Sequence, residues 1–314
     1  MRIEISALAD EREFQRFMEQ IDAQLRRRGV PVRARQLQAV GEASKLVNAR
    51  LIMGPALPPG ASEQDRQGYE FAARVMDWME ARYGDKLKVD MSIGAAPLIL
   101  RDDAWLMRLP YIVGSVAVVY DCNLSTNYPD MSGPAMPRGR ATLNVLTLIE
   151  GLSSDLARGL SLQEIHEIAK CFGPSMTTFS LLDEVKVGKP LISAAQFDLR
   201  RAAEICVCDA HQLGFSRWHS LQAAEKVIKA YIESRGTSFP HNHDLAGLAS
   251  IAEKNGASPI PSELLKQAQC PASVRYEPEK STISETVAAH RAAVEICGAV
   301  TFSIKQNGPN RIIM

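Results

Sequence analysis

Apolar positions recur at helical spacing through most of the chain. Phe14, Phe17, Met18, Ile21 and Leu25 predict a helix over 10–28 that Gly29 and Pro31 stop, after a short strand at 2–8. A second helix fits 32–50. A third fits 63–83 around Phe71, Val75, Met76, Trp78 and Met79, after the Pro/Gly-rich loop MGPALPPGAS at 53–62. From 86 to 121 the period changes to that of strands. KLKVDMS alternates, PLILR and AWLMRLP flank Asp102-Asp103, where a hairpin turn is expected, and IVGSVAVVY is β-branched and apolar. Residues 122–139 read as a long loop, followed by helices at 140–158 and 161–172.

After KVGKP at 186–190 the pattern is helical throughout. The predicted helices are 197–213 closed by Gly214, 215–235, Asp244 to Lys254, 261–268, and a last one opened by Thr282 and Glu285 at capping-box spacing. Helix 215–235 is apolar over half its circumference through Trp218, Leu221, Ala224, Val227, Ile228, Tyr231 and Ile232. His219, Gln222, Lys226, Lys229 and Glu233 share one polar sector. In the last helix Ile283, Val287, His290, Val294 and Cys297 form a coiled-coil-like seam that could pack against a second chain. His290 reads first as a satisfied core histidine.

The expected architecture is an α+β domain at 1–189 with a small, mainly antiparallel sheet, an all-α antiparallel bundle at 190–305 and a tail at 306–314. At 314 residues the chain is long enough for two cores. Lys plus Arg and Asp plus Glu both total 36, so no global basic field exists and any nucleic-acid contact must come from a local patch. Six cysteines without a CxxC pair and an N-terminus without a signal pattern lead to an expectation of reduced thiols and a cytoplasmic location. No stretch reads as a membrane span. His241-x-His243 with Cys270 lacks the paired spacing of a zinc site, so neither a metal nor a cofactor is expected.

The segment SRGTSFPHNHDL at 234–245 concentrates candidate chemistry. Gly236 reads as a left-handed cap with Arg235 near the helix C-terminus, and Asp244 as the start of the next helix. Arg235 and His241 also have the makings of a catalytic pair: a neutral imidazole takes a 2'-hydroxyl proton while a permanent guanidinium holds the phosphate.

RWHSLQAAEKVIKAYIESRG at 217–236, FPHNHDL at 239–245, VRY at 274–276 and the closing helix together resemble the HEPN (higher eukaryotes and prokaryotes nucleotide-binding) domain over about 190–303. The resemblance implies a helical bundle that commonly forms homodimers and binds a nucleotide or RNA. It also implies a regulatory or toxin–antitoxin and defence setting, with a nucleotidyltransferase as a candidate partner. It makes Lys226, Lys229, Arg235, His241, His243 and Arg275 the phosphate-binding candidates. Some members are metal-independent ribonucleases with an Arg-x4–6-His pair at a dimer interface, which Arg235 and His241 match in spacing but not in place, since here a Pro-containing loop separates them. A non-catalytic partner-binding bundle stays open as a third reading.

Overall fold

The computed structural model describes residues 2–54, 57, 60–87, 92–112, 114–125, 141–276 and 281–307. The expected loop at 122–139 lies outside these residues from 126 onward. So do four positions of the 53–62 loop, the 88–91 part of the first strand segment and the tail from 308. The chain divides into two compact units, Met1–Asp90 and Met91–Met314.

The first unit is helical. Helices α1 (Glu11–Arg27), α2 (Val32–Leu46) and α3 (Glu63–Tyr83) bury Phe14, Phe17, Met18, Ile21, Leu25, Val40, Phe71, Val75 and Met79 in one core. Asp10 starts α1 by accepting hydrogen bonds from the amides of Arg12 at 2.9 Å and Glu13 at 3.2 Å. Ser62 and Asp65 form a capping box on α3. In place of the strand expected at 2–8 there is a 3-10 turn at Ile5–Leu8, with a single bridge from Ile3 to Val47. A short segment with no neighbour strand cannot satisfy a ladder, so a turn closes locally instead.

The second unit begins with the hairpin β1 (Ser92–Leu100) and β2 (Asp103–Pro110). Its turn residues Arg101 and Asp102 have φ of 53° and 67°, the paired left-handed conformation of a tight two-residue hairpin; the hairpin is the one expected, with its turn one residue earlier than Asp102-Asp103. β3 (Val116–Val119) and β4 (Ala141–Asn144) form a second, parallel pair. The helix expected at 140–158 is therefore replaced by β4, a 3-10 turn and the short α4 (Ser154–Arg158). Asn144 causes the break: its side chain accepts from the amides of Asp121 at 3.1 Å and Leu146 at 3.2 Å and donates to the Asp121 carbonyl at 2.7 Å.

Helix α5 (Leu162–Glu184) follows, then α6 (Lys189–Cys208), α7 (Leu213–Ser234), α8 (Leu245–Lys254), α9 (Ser262–Ala268) and α10 (Ile283–Asn307). α6 starts eight residues before the position expected, because Gly188 at φ 61° and Pro190 in the first turn form a start signal. It ends at Cys208, not at Gly214. Asp209 turns the chain, and Gly214 lies in the first turn of α7, where a Cβ would stand 1.9 Å from the Val274 carbonyl oxygen. The glycine is needed for close approach of the Val274 backbone.

The boundary of the compact units falls at 90/91 rather than at the expected 190. β1 and α5 share one core with α6, α7 and α10, exemplified by Thr178 of α5, whose hydroxyl donates to the Val294 carbonyl of α10 at 3.1 Å. Among the described residues all four strands precede residue 145, so the α+β-then-helical order holds along the chain even though the sheets and the bundle share a unit. α10 is long and apolar enough to cross a membrane, but 67% of that window is buried inside the unit. Its seam residues Val287, His290, Val294 and Cys297 are buried against neighbouring helices, which corrects the reading of that seam as a dimer face. A seam already packed within one chain has no apolar face left for a second.

Candidate functional site

Helix α7 supplies the site's floor, and two carboxylates organise it. Asp198 of α6 is buried and accepts from Lys226 Nζ through Oδ2 and from His219 Nδ1 at 2.9 Å through Oδ1. Glu225 of α7 accepts from Lys229 Nζ at 2.5 Å through Oε1, and from His243 Nδ1 at 2.7 Å and Gln222 Nε2 at 3.0 Å through Oε2. Each carboxylate therefore holds one lysine and one histidine. The 2.7 Å contact with an acceptor-only carboxylate places the His243 proton on Nδ1, which leaves Nε2 as the basic nitrogen. The same logic applies to His219. Gln222 also stands 3.2 Å from His243 Nδ1, where two donors cannot bond, so its amide serves Glu225.

This pairing changes the part played by two predicted phosphate ligands. Lys229 and Glu225 side chains are only 10% and 6% exposed, and Lys229 also donates to the Asn242 carbonyl at 3.3 Å. The four-residue spacing of Glu225 and Lys229 suggests an ion pair on a solvated helix face; the pair forms, but it is buried. A lysine whose charge is met by a buried carboxylate offers little attraction to an incoming phosphate. Its observed task is to tie α7 to the 236–244 loop. Lys226 does the same between α7 and α6.

The loop itself is fixed at both ends. Gly236 at φ 68° closes α7, with the amides of Gly236 and Thr237 donating to the carbonyls of Glu233 at 2.9 Å and Ile232 at 3.3 Å, the double bond pattern of a glycine-capped helix end. Asp244 opens α8 by accepting from the Ala246 amide at 3.1 Å. Gln269 then latches the segment, donating to the His243 carbonyl and accepting from the Leu245 amide, both at 3.0 Å.

Around this frame lies a run of aromatic rings and cations. The Arg275 guanidinium sits 4.4 Å from the centroid of Trp218 and 5.2 Å from that of Tyr276, which is 73% exposed. His243, half exposed, meets Trp218 edge-on at 5.0 Å. Lys229 lies 5.3 Å from the Phe239 ring, and Phe239 meets His241 at 6.2 Å. Lys229, His243 and Arg275 are thus gathered with the aromatics, and His241 joins them through Phe239. Arg235 points elsewhere: its Nε donates to the Tyr231 hydroxyl at 3.3 Å, and that hydroxyl donates to the Asn255 carbonyl at 3.1 Å. Arg235 and His241, the catalytic pair suggested by spacing, flank the loop with different neighbours.

His290 is fully buried, with Nδ1 3.5 Å from Ser220 Oγ and Nε2 without a hydrogen-bond partner among the described residues. Burial, helped by the Arg291 charge, pushes its pKa down to about 3. It is a neutral core histidine, as the sequence suggests, but not the satisfied one expected, since Nε2 has no hydrogen-bond partner among the described residues.

The decisive comparison concerns the bundle. Residues 190–300 match the family model of the HEPN domain. The HEPN match starts one residue inside α6 and ends within α10, and so contains every member of both carboxylate hubs. It covers roughly a third of the chain. At the level of the family, HEPN supports a nucleotide- or RNA-related role. HEPN domains often dimerise and bind RNA. No curated protein and no solved structure matches the chain.

The sequence left Asp198, His219, Gln222 and Glu225 out of the candidate site. One signal was present. A polar stripe on the central helix of a bundle must find partners, and acidic residues on α6 and α7 one or two helical turns away were the available ones.

Proposed function

We propose that this chain binds a nucleotide or RNA on the α7 face, with Trp218, Arg275 and Tyr276 as a stacking and phosphate-pairing platform. His241 and His243 flank it, and Arg235 lies at the loop's start. Lys226 and Lys229 set the geometry from beneath. The observation that carries the reading is the Arg275 guanidinium held between an anchored indole and an exposed phenol. Every nucleobase has a π-face, and a base stacked on an aromatic contributes about 1–3 kcal/mol, while the guanidinium fork suits a phosphate.

Anisotropy titrations of the full chain with labelled ATP and a short single-stranded RNA test this. Arg275→Ala with Tyr276→Ala is expected to weaken binding about tenfold or more, through removal of one stacked base and one charge-assisted hydrogen bond. Unchanged affinity in that double variant, or no binding by the parent protein, defeats the reading.

Catalysis is the second reading, motivated by the spacing of Arg235 and His241 and by the exposure of both. It requires RNA cleavage in EDTA that disappears in His241→Ala. Self-association, the family's habit, is the natural companion of either reading, and a nucleotidyltransferase remains the candidate partner of a toxin–antitoxin setting.

A further inference from the structure

A chain without net charge needs a local patch to attract a polyanion, and the first unit holds one outside the family match. Arg26, Arg27, Arg28, Arg33 and Arg35 bracket the turn that joins α1 to α2. The turn is fixed by Gly29 at φ 69° and by the Val30 amide donating to the Leu25 carbonyl at 3.0 Å. Among the described residues, only two carboxylates are paired with this corner. Asp22, fully buried on α1, faces Arg82 Nε at 3.1 Å, Arg26 Nε at 3.3 Å and Arg35 Nη1 at 3.8 Å. Glu42 on α2 takes Arg28 at 2.7 Å and Lys45 at 3.0 Å. Arg27 and Arg33 are exposed and have no ion pair among the described residues.

The balance is seven cations against two acids, and the exposed Glu19, one turn before Asp22, does not reverse it. Asp22 draws three guanidiniums together and neutralises one charge of the three. The corner thus concentrates positive potential in a chain whose charges otherwise cancel.

We propose that the α1–α2 corner docks the phosphate backbone of single-stranded RNA, at a site separate from the α7 platform. Guanidinium forks pair with phosphodiester oxygens two at a time, which favours arginine over lysine at such a surface. RRRGVPVRAR at 26–35 has no Phe, Trp or Leu, and the exposed Leu37 one turn beyond Arg33 is a single apolar side chain where a membrane-binding helix needs an apolar face.

The test is a salt titration of labelled single-stranded RNA binding by the full chain. It compares the parent, Arg27→Glu/Arg33→Glu, the milder Arg27→Gln/Arg33→Gln, the charge-keeping Arg27→Lys/Arg33→Lys, and each pair in an Arg275→Ala/Tyr276→Ala background. Both arginines are exposed, so the fold, followed by circular dichroism, should survive. The Glu pair is expected to cost about tenfold in affinity and the Gln pair less. The Gln pair should also flatten the plot of log K against log salt by about 0.7 for each phosphate it no longer neutralises. The Lys pair should keep most of the binding. Patch-dependent, salt-steep binding should persist in the Arg275/Tyr276 background, so failure of the platform and failure of the corner read out separately. Equal affinity and slope in the parent and the Glu and Gln pairs overturns the proposal. So does binding to phosphatidylserine vesicles without binding to RNA.

Discussion

Glu225 shows most directly how a single side chain holds the site. It is the common acceptor of Lys229, His243 and Gln222, and it sits beneath the loop that carries His241. Removing one partner of a buried pair costs about 3–5 kcal/mol, because the other charge is left without compensation. Glu225→Ala should therefore lower the denaturation midpoint sharply, whereas Glu225→Ala with Lys229→Met should recover most of the stability. Equal destabilisation in the single and the double variant would contradict a buried pair. At this scale the sequence was half legible. Lys226, Lys229 and His243 could be picked out by residue type and by the family's pattern, and Glu225 as the partner of Lys229 by its spacing, but the partners of Lys226 and His243 could not. Asp198 lies on another helix, and a pairing across 28 residues leaves no local spacing to read.

Some helix ends were legible, because a cap is a local device, whereas Gly214 was not the cap its residue type suggests. Gly236, Asp244 and the Thr282–Glu285 box stand where their residue types imply, the last with the Thr282 amide donating to Glu285 at 3.0 Å. Segments without such punctuation were misread, as at 140–158, where a side-chain cap from Asn144 overrides the helical pattern. The α7–α10 interface carries its own prediction through His290. Its folded pKa of about 3 lies below the ordinary 6.5 that it regains on unfolding. The unfolded chain therefore binds the proton first. Stability is complete above about pH 6.5 and declines as pH falls toward 3, at most about 1.4 kcal/mol per pH unit. With only a long hydrogen bond to Ser220 at stake, His290→Leu should leave stability at pH 7 within about 1.5 kcal/mol and make the decline between pH 6 and 4 shallower. Urea unfolding across that range measures both, and identical acid limbs in parent and variant would exclude His290 as the cause.

For the whole molecule, the sequence separated a mixed first part from a helical second part near 190, whereas the compact units divide at 90/91. The change of pattern near 190 marks where α6 begins and where the HEPN match begins. Compactness follows burial instead, and Thr178 of α5, whose hydroxyl donates to the Val294 carbonyl of α10 at 3.1 Å, joins what the pattern divides. The same long-range logic governs the platform. Arg275 owes its place to a backbone approach some sixty residues back, since the carbonyl of its neighbour Val274 rests against Gly214 where any side chain would intrude. The first turn of α7 and the 3-10 turn at Ala272–Tyr276 are thus in close contact at Gly214, so Gly214→Ala is expected to push the Val274 backbone away and raise deuterium exchange in both turns, and unchanged exchange at 272–276 would contradict the contact.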